Sequence, residues 1–367
     1  MKTTPINKQF PLKKILLWYD ENKRDLPWRK TRDIYKIWLS EVMLQQTQVA
    51  TVIPYYRRFL KHFPTIESLA SADEQEVLKL WECLGYYNRC HNFYRAAKQI
   101  VENYNGRIPD QPLEFKKLPG VGPYILAAVM SIALDIPLPV LDGNVIRVIT
   151  RYYEIKDDIN KGATKKQIQY ILAGYIPEDN PGNFNQAIME LGALICSPRS
   201  PDCDHCPLSA GCAAFHTGQT GKIPYRPPKR KIPVFNVSIA VILDQGRFLI
   251  QKRPSKGHLA GMWEFPGGKI ENGESPRQAV IRECREELNT SIKIMKELKT
   301  VSHTYTHFKI KLNVFLCAIK RGQPKGMNRQ PIQWITINQI EAYPFPGANH
   351  KFFPELKEYL KKYSDRV

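Results

Sequence analysis

Two prolines and two glycines within seven residues leave the segment Leu118–Tyr124, LPGVGPY, few backbone conformations. The run predicts a tight hairpin that opens directly into a helix. A glycine-rich turn at a helix start, with Gly120 and Gly122 at its centre, offers backbone N–H groups to a phosphate. Eighteen residues beyond Tyr124 stands Asp142, a carboxylate placed to serve chemistry on a nucleotide held at that turn. The pattern points to an enzyme that grips a nucleic-acid backbone and works on one residue of it.

The charge agrees. The chain has 54 Lys and Arg against 35 Asp and Glu, a formal net charge of +19. Such an excess suits a polyanion. No polybasic amphipathic helix or lipidation pattern favours a membrane surface, so nucleic acid is the expected partner. Affinity should then fall by about 0.9 log units per log unit of salt for each phosphate neutralised. The opening MKTTPINKQF has no apolar run, and the most apolar stretch, 127–141, is interrupted by Asp135, Pro137 and Pro139. A cytoplasmic, nucleoid-associated protein of bacterial type is the expectation.

With 367 residues, 43% of them hydrophobic, the chain can bury two cores. Up to about residue 215 apolar residues recur at helical spacing, as in Ile34, Ile37, Trp38, Val42 and Met43 and again in Val77, Leu80, Trp81 and Leu84. The basic, Pro-rich stretch 221–233, GKIPYRPPKRKIP, reads as an extended linker. Beyond it the pattern turns to β: VFNVSIAVIL, a turn at Asp244–Gly246, then RFLIQ, with one helix from Ser275 to about Leu288 and strands within Phe308–Ile319. The expected division is a helical domain at 1–220, the linker, and a mixed α/β domain at 234–367.

Four of the eight cysteines cluster as C-x6-C-x2-C-x5-C: Cys196, Cys203, Cys206 and Cys212. Thiolates this close in a chain without a secretory signal bind a metal. Spacing alone leaves both a closed structural zinc site and an iron–sulfur cluster open. Cys83, Cys90, Cys284 and Cys317 are scattered and read as small packing residues.

Taken jointly, LSEVMLQQTQV (Leu39–Val49), LGYYNR (Leu84–Arg89), LPGVGPY, LDGNVIRV (Leu141–Val148) and the cysteine spacing resemble the endonuclease III and adenine DNA glycosylase (MutY) superfamily. The resemblance covers about the first 215 residues. It implies an all-α helix-hairpin-helix DNA glycosylase domain whose four clustered cysteines hold a structural 4Fe–4S cluster. Glu41 lies in an apolar helix, where desolvation favours the protonated carboxyl that general acid catalysis needs. The resemblance makes Glu41 the group that protonates the departing adenine. Asp142 is its ionised partner beside the cationic sugar, supported by Asn144. At about 4 Å and an effective dielectric near 20, such a charge pair is worth roughly 4 kcal/mol, about a thousandfold in rate. Tyr124 stands where the endonuclease III branch carries a lysine. A phenol forms no Schiff base, so base excision without strand cleavage is implied. Gln46 and Tyr86 match residues that fill the gap left by the extruded base, and Thr47 and Leu84 match contacts to the opposing purine.

From Gly268 to Thr290 the sequence resembles the Nudix box. Glu283, Glu286 and Glu287 share one helix face and form a candidate second metal site, suited to magnesium. The resemblance to MutT extends to Arg253, Phe265 and Asn349. Asn289 departs from it by replacing the closing glycine of the box, and Asn328 by standing where a further metal-binding glutamate is found. Tyr305, Thr306 and His307 match the loop that probes 8-oxoguanine in DNA. The whole implies a multidomain, monomeric enzyme, a helical glycosylase domain followed by an α/β Nudix-like domain. It would remove adenine paired with 8-oxoguanine or guanine in double-stranded DNA. Two alternatives are hydrolysis of 8-oxo-dGTP by the Nudix-like domain and an endonuclease III-like glycosylase of other lesions.

Overall fold

Short polar residues and prolines set where the helices begin. Asp33 caps α2 (Ile34–Leu44), following α1 (Leu12–Asn22), by accepting from the Lys36 N–H at 3.2 Å. Next come α3 (Val49–His62), α4 (Ile66–Ser71) and α5 (Glu74–Trp81), the last capped by Asp73. They are followed by α6 (Tyr87–Tyr104), α7 (Pro112–Phe115) and α8 (Pro123–Leu134). The helical part closes with α9 (Gly143–Tyr152), α10 (Gly162–Ala173), α11 (Pro181–Leu194) and α12 (Ala213–His216). Proline occupies the first turn of α7, α8 and α11, where a missing N–H costs nothing. The computed structural model describes residues 10–228, 232–255, 257–327 and 330–364. Asn328 and part of the basic linker, 229–231, lie outside them.

The chain forms two compact units, and the division is not the single cut that the sequence leads one to expect. Residues 1–70 and 95–229 make one unit, while 71–94 join 230–367 in the other. In the first unit α11 packs against α1, α8 and α9, and α2 against α8. Ile15, Ile37, Val148, Phe184, Ile188 and Leu191 are buried between them. The α9–α11 approach depends on Gly192: a Cβ there would lie 2.6 Å from the Asn144 Cβ.

Among the described residues the second unit is built on a seven-stranded sheet. Its strands are β1 (Val234–Asp244), β2 (Arg247–Lys252), β3 (Trp263–Glu264), β4 (Gly267–Lys269), β5 (Ser291–Thr304), β6 (Lys309–Arg321) and β7 (Ile332–Thr336). The main path runs β3-β2-β1-β6-β5, with β4 on β1 and β7 on β2; β1 and β6 are parallel. The β1–β2 turn has Gln245 and Gly246 at positive φ, as a two-residue hairpin needs. Helix α13 (Pro276–Leu288), with Ser275 in a capping box, covers one face through Val280, Cys284 and Leu288. Helix α14 (Phe353–Ser364) covers the other through Leu356 and Leu360. The short segment 71–94 is tied to the rest of this unit by hydrogen bonds. Gln75 accepts from the Trp263 indole at 2.9 Å and donates to the Gly261 carbonyl at 3.1 Å. Lys79 donates to the Tyr343 carbonyl, and Glu82 accepts from the Phe345 N–H.

Candidate functional site

Helix α2 is apolar on nearly every side, and Glu41 is carried into the interior with it, 5% exposed. Its carboxyl is pushed up to about 7, first by burial and further by the Asp142 charge; a hydrogen bond from Tyr124 works the other way. That bond runs from the Tyr124 hydroxyl, in the first turn of α8, to Glu41 Oε2 at 2.5 Å. Burial and the Glu41 charge hold the Tyr124 phenol well above its ordinary value, so it remains a donor.

Asp142 is the N-cap of α9. Its carboxylate accepts from the Val145 N–H at 2.7 Å and from Asn144 Nδ2 at 3.0 Å. Burial raises its pKa while these donors lower it. The contacts continue behind it. Asn144 Oδ1 accepts from Arg147 at 2.9 Å, and the same buried guanidinium reaches the carbonyls of Gly143, Gly192 and Cys196. Thus Glu41, Tyr124, Asp142 and Asn144 come together from three helices, although 83 residues separate Glu41 from Tyr124. The arrangement offers a carboxyl that holds its proton near neutral pH beside a carboxylate bound by three N–H donors, counting the Asn144 backbone.

The hairpin differs from expectation in one respect. Gly120 has φ +80, but the Val121 and Gly122 N–H groups close the turn on the Leu118 and Gly120 carbonyls instead of standing free. Gln46 is exposed, in the left-handed region at φ 58, and Thr47 is half-buried. Leu84 is buried, 5% exposed, and not presented to solvent. In the second unit Tyr86 and Thr306 meet, the threonine hydroxyl donating to the phenol at 2.7 Å. Arg89 lies over the Tyr86 ring, 5.0 Å from its centroid. Tyr305 packs against His303, His258 and Phe308, while His307 is exposed.

Cys196, Cys203, Cys206 and Cys212 are free and half-buried, and neighbouring enough for each to act on another's charge. Burial pushes the Cys206 thiol up to about 12, with the other three sulfurs adding to it. Arg151 reaches the Cys196 sulfur at 3.3 Å. The donor set suits a metal–sulfur group, because four thiolates at this spacing need cations among them. Among the described residues, however, no three His, Cys, Asp or Glu side chains close on one metal-ion position.

The same holds for the glutamates of the second unit, and nothing among the described residues there supports a magnesium ion. Arg282 already supplies the cation: it pairs with Glu274 and Glu283 at 2.9 Å and with Glu286 at 3.0 Å. Glu287 instead accepts from the Gly267 N–H at 2.9 Å and from Gln251 at 2.7 Å. Burial, and then the charges of Glu264 and Glu283, push Glu287 up to about 7. Asn289 caps α13 at φ 49, a left-handed conformation that asparagine tolerates, so losing the glycine leaves the box fold intact. Of the MutT-like positions, Arg253 pairs with Glu264, and Phe265 is a core residue stacked between Phe248 and Phe345. Asn349 is also buried.

Two further groups are not singled out in the sequence. Arg147 sits inside the LDGNVIRV motif, where an arginine between Ile146 and Val148 is the available signal. Glu190 is held by Arg24 and Arg29, and nothing local marks it.

Residues 39–174 match the family model described as HhH-GPD superfamily base excision DNA repair protein, and residues 238–355 that of the NUDIX domain. A helical base-excision repair fold joined to a NUDIX domain is the class so defined. Over 95% of its length the chain is 33% identical to an adenine DNA glycosylase of Rattus norvegicus, covering 78% of that protein. It is 35% identical over 94% of its length to the one of Buchnera aphidicola subsp. Schizaphis graminum, covering 97% of it. Among solved structures, a thermostable thymine-DNA glycosylase aligns with a TM-score of 0.51 and 30% identity, over 56% of this chain and 95% of its own. The chain belongs to the adenine DNA glycosylase family. No helix among the described residues is long and apolar enough to cross a membrane.

Proposed function

We propose that this enzyme acts as a monomer on double-stranded DNA inside the cell, excising adenine opposite 8-oxoguanine or guanine and leaving an abasic site with the strand intact. The observation that carries the reading is the buried Glu41 carboxyl at about 7, hydrogen-bonded to Tyr124 and coupled to Asp142. Glu41 delivers its proton to the departing base. Asp142 supplies negative charge to the cationic sugar, and Asn144 orients it. Tyr124 offers no amine, so no Schiff base with the sugar leads on to strand cleavage. Gln46 offers an amide and Tyr86 a ring to the gap in the base stack, with Thr47 facing the opposing purine; Leu84, buried as it stands, faces no purine in this arrangement. Gly120 and Gly122 shape the strand-holding hairpin, and Tyr305, Thr306 and His307 read the opposite base. Cys196, Cys203, Cys206 and Cys212 would hold a structural 4Fe–4S cluster. The half-buried sulfurs and the Arg151 contact support that assignment.

In single-turnover assays the full chain should release adenine from both mispairs, with strand breaks only after alkali. His307→Ala should slow release from the oxidised mispair more than from guanine·adenine. Absence of adenine release, or strand cutting without alkali, overturns the reading. Tyr124→Phe tests the acid directly. Its hydroxyl lowers the Glu41 pKa, so removing it should move the alkaline fall in excision rate to higher pH. An unmoved limb would mean that the bond does not tune the acid.

A further inference from the structure

Residues 135–141, DIPLPVL, join α8 to Asp142, the N-cap of α9. Pro137 and Pro139 have no N–H to give, so this run cannot fix itself by a regular backbone ladder. The Asp135 and Ile136 N–H groups turn back to the Met130 carbonyl, and the Leu138 N–H goes to the Ile136 carbonyl. Val140, two residues before Asp142, is buried. Its N–H donates to a side chain from another helix, Asn185 Oδ1 of α11, at 3.0 Å. The Asn185 amide nitrogen donates in turn to the Leu138 carbonyl at 2.9 Å and to Ser131 Oγ of α8 at 2.8 Å. Gly182, a turn earlier on α11, permits the approach: a Cβ there would lie 2.6 Å from the Ser131 carbonyl oxygen. Asn185 is 1% exposed. A leucine would fill that volume without the cost of burying an amide, so what the amide adds is direction.

We propose that Asn185 is a positioning residue for Asp142: by tying Leu138 and Val140 to the end of α8, it sets where the Asp142 carboxylate stands. Tyr124 opens α8 and Asp142 caps α9, so the connection between these helices fixes one group against the other. Asn185 acts through that connection. Its hydrogen bonds go to the loop backbone and to Ser131, not to the side chains of Glu41, Tyr124 or Asp142. A carboxylate serves a cationic sugar only from the right place, and a misplacement of about 1 Å costs on the order of 10²-fold in rate. The inference rests on the role of Asp142 proposed above.

Single-turnover adenine release from an 8-oxoguanine·adenine duplex, followed across pH for the full chain and its variants, tests the role. Asn185→Leu should slow release by about 10²-fold at saturating enzyme, with duplex affinity within about threefold of wild type. The charged and titratable groups facing Glu41 are Tyr124, Asp142 and Arg29, and of these only Asp142 raises its carboxyl. A displaced Asp142 should therefore move the alkaline fall in rate to lower pH. A merely loosened core would lower the melting temperature and leave that limb in place. Ser131→Ala removes one tether and should change rate and limb in the same direction by a smaller amount. If Asn185→Leu does not fold, Ser131→Ala decides, and a rate and limb equal to wild type overturn the proposal. So does a slowed Asn185→Leu whose alkaline limb has not moved, or whose affinity has fallen as far as its rate. Asp142→Asn separates the two readings. Release at the wild-type rate by that variant sinks the role of Asp142 itself; an inactive Asp142→Asn beside a fully active Asn185→Leu sinks the positioning role alone.

Discussion

Glu41→Gln should cut adenine release by roughly 10²–10⁴, the range for losing a positioned general acid, and stabilise the fold above neutral pH. Both effects come from one side chain. Its carboxyl has a folded value of about 7 against an ordinary 4.5. Between those values the folded state keeps a proton that the unfolded chain has lost. The group's stabilising contribution is therefore present in acid and disappears as pH rises from 4.5 through about 7. Above that window the ionised, buried carboxylate costs on the order of 3 kcal/mol. Glutamine keeps the shape and still accepts from Tyr124, but it cannot ionise. Melting curves at pH 5.5 and 8.5 read the stability difference, and single-turnover excision reads the rate. A variant that melts like the wild type at both pH values would show that the carboxyl is not held against its ionisation.

Glu190→Gln should act in the opposite direction. The Glu190 side chain is 1% exposed, and its two oxygens accept from Arg24 at 2.6 and 2.8 Å and from Arg29 at 2.9 Å twice. Burial works to raise this carboxyl, but the two guanidinium groups and the Arg24 N–H outweigh it and bring it to about 2. Its contribution is present above the ordinary 4.5 and is lost as pH falls toward 2. Removing the charge leaves two guanidinium groups facing a neutral amide whose side chain is buried. Breaking such a pair costs about 3–5 kcal/mol. Urea unfolding at pH 7 should show that loss, and the gap to wild type should close in acid. A difference under about 0.5 kcal/mol, the scale of an ordinary surface substitution, would count against the buried pair.

Legibility followed the range of the interactions. The β1–β2 hairpin and α13 were readable because Asp244–Gly246 and Ser275 act over a few residues. Strand β5 was not: register shifts at three places break the alternation that marks a half-buried strand. Membership of 71–94 in the second unit was hidden for a different reason. Gln75, Lys79 and Glu82 find their partners more than 180 positions away, and amphipathic helices do not declare which core they join. Cys83 is exposed while Cys90, Cys284 and Cys317 are buried, a difference that no local sequence pattern marks.

Around Glu41 and Asp142 the sequence by itself determined the residue types, their motifs and the hairpin that starts α8. It also placed Glu41 among apolar neighbours on α2. Tertiary structure decided what those groups are chemically. Glu41 and Glu190 are the same side chain, both buried in the same unit, yet one is held at about 7 and the other at about 2. A carboxyl's proton affinity depends on desolvation and on which donors and charges surround it. Those partners, Tyr124 and Asp142 for one and Arg24 and Arg29 for the other, arrive from distant segments only when the chain folds.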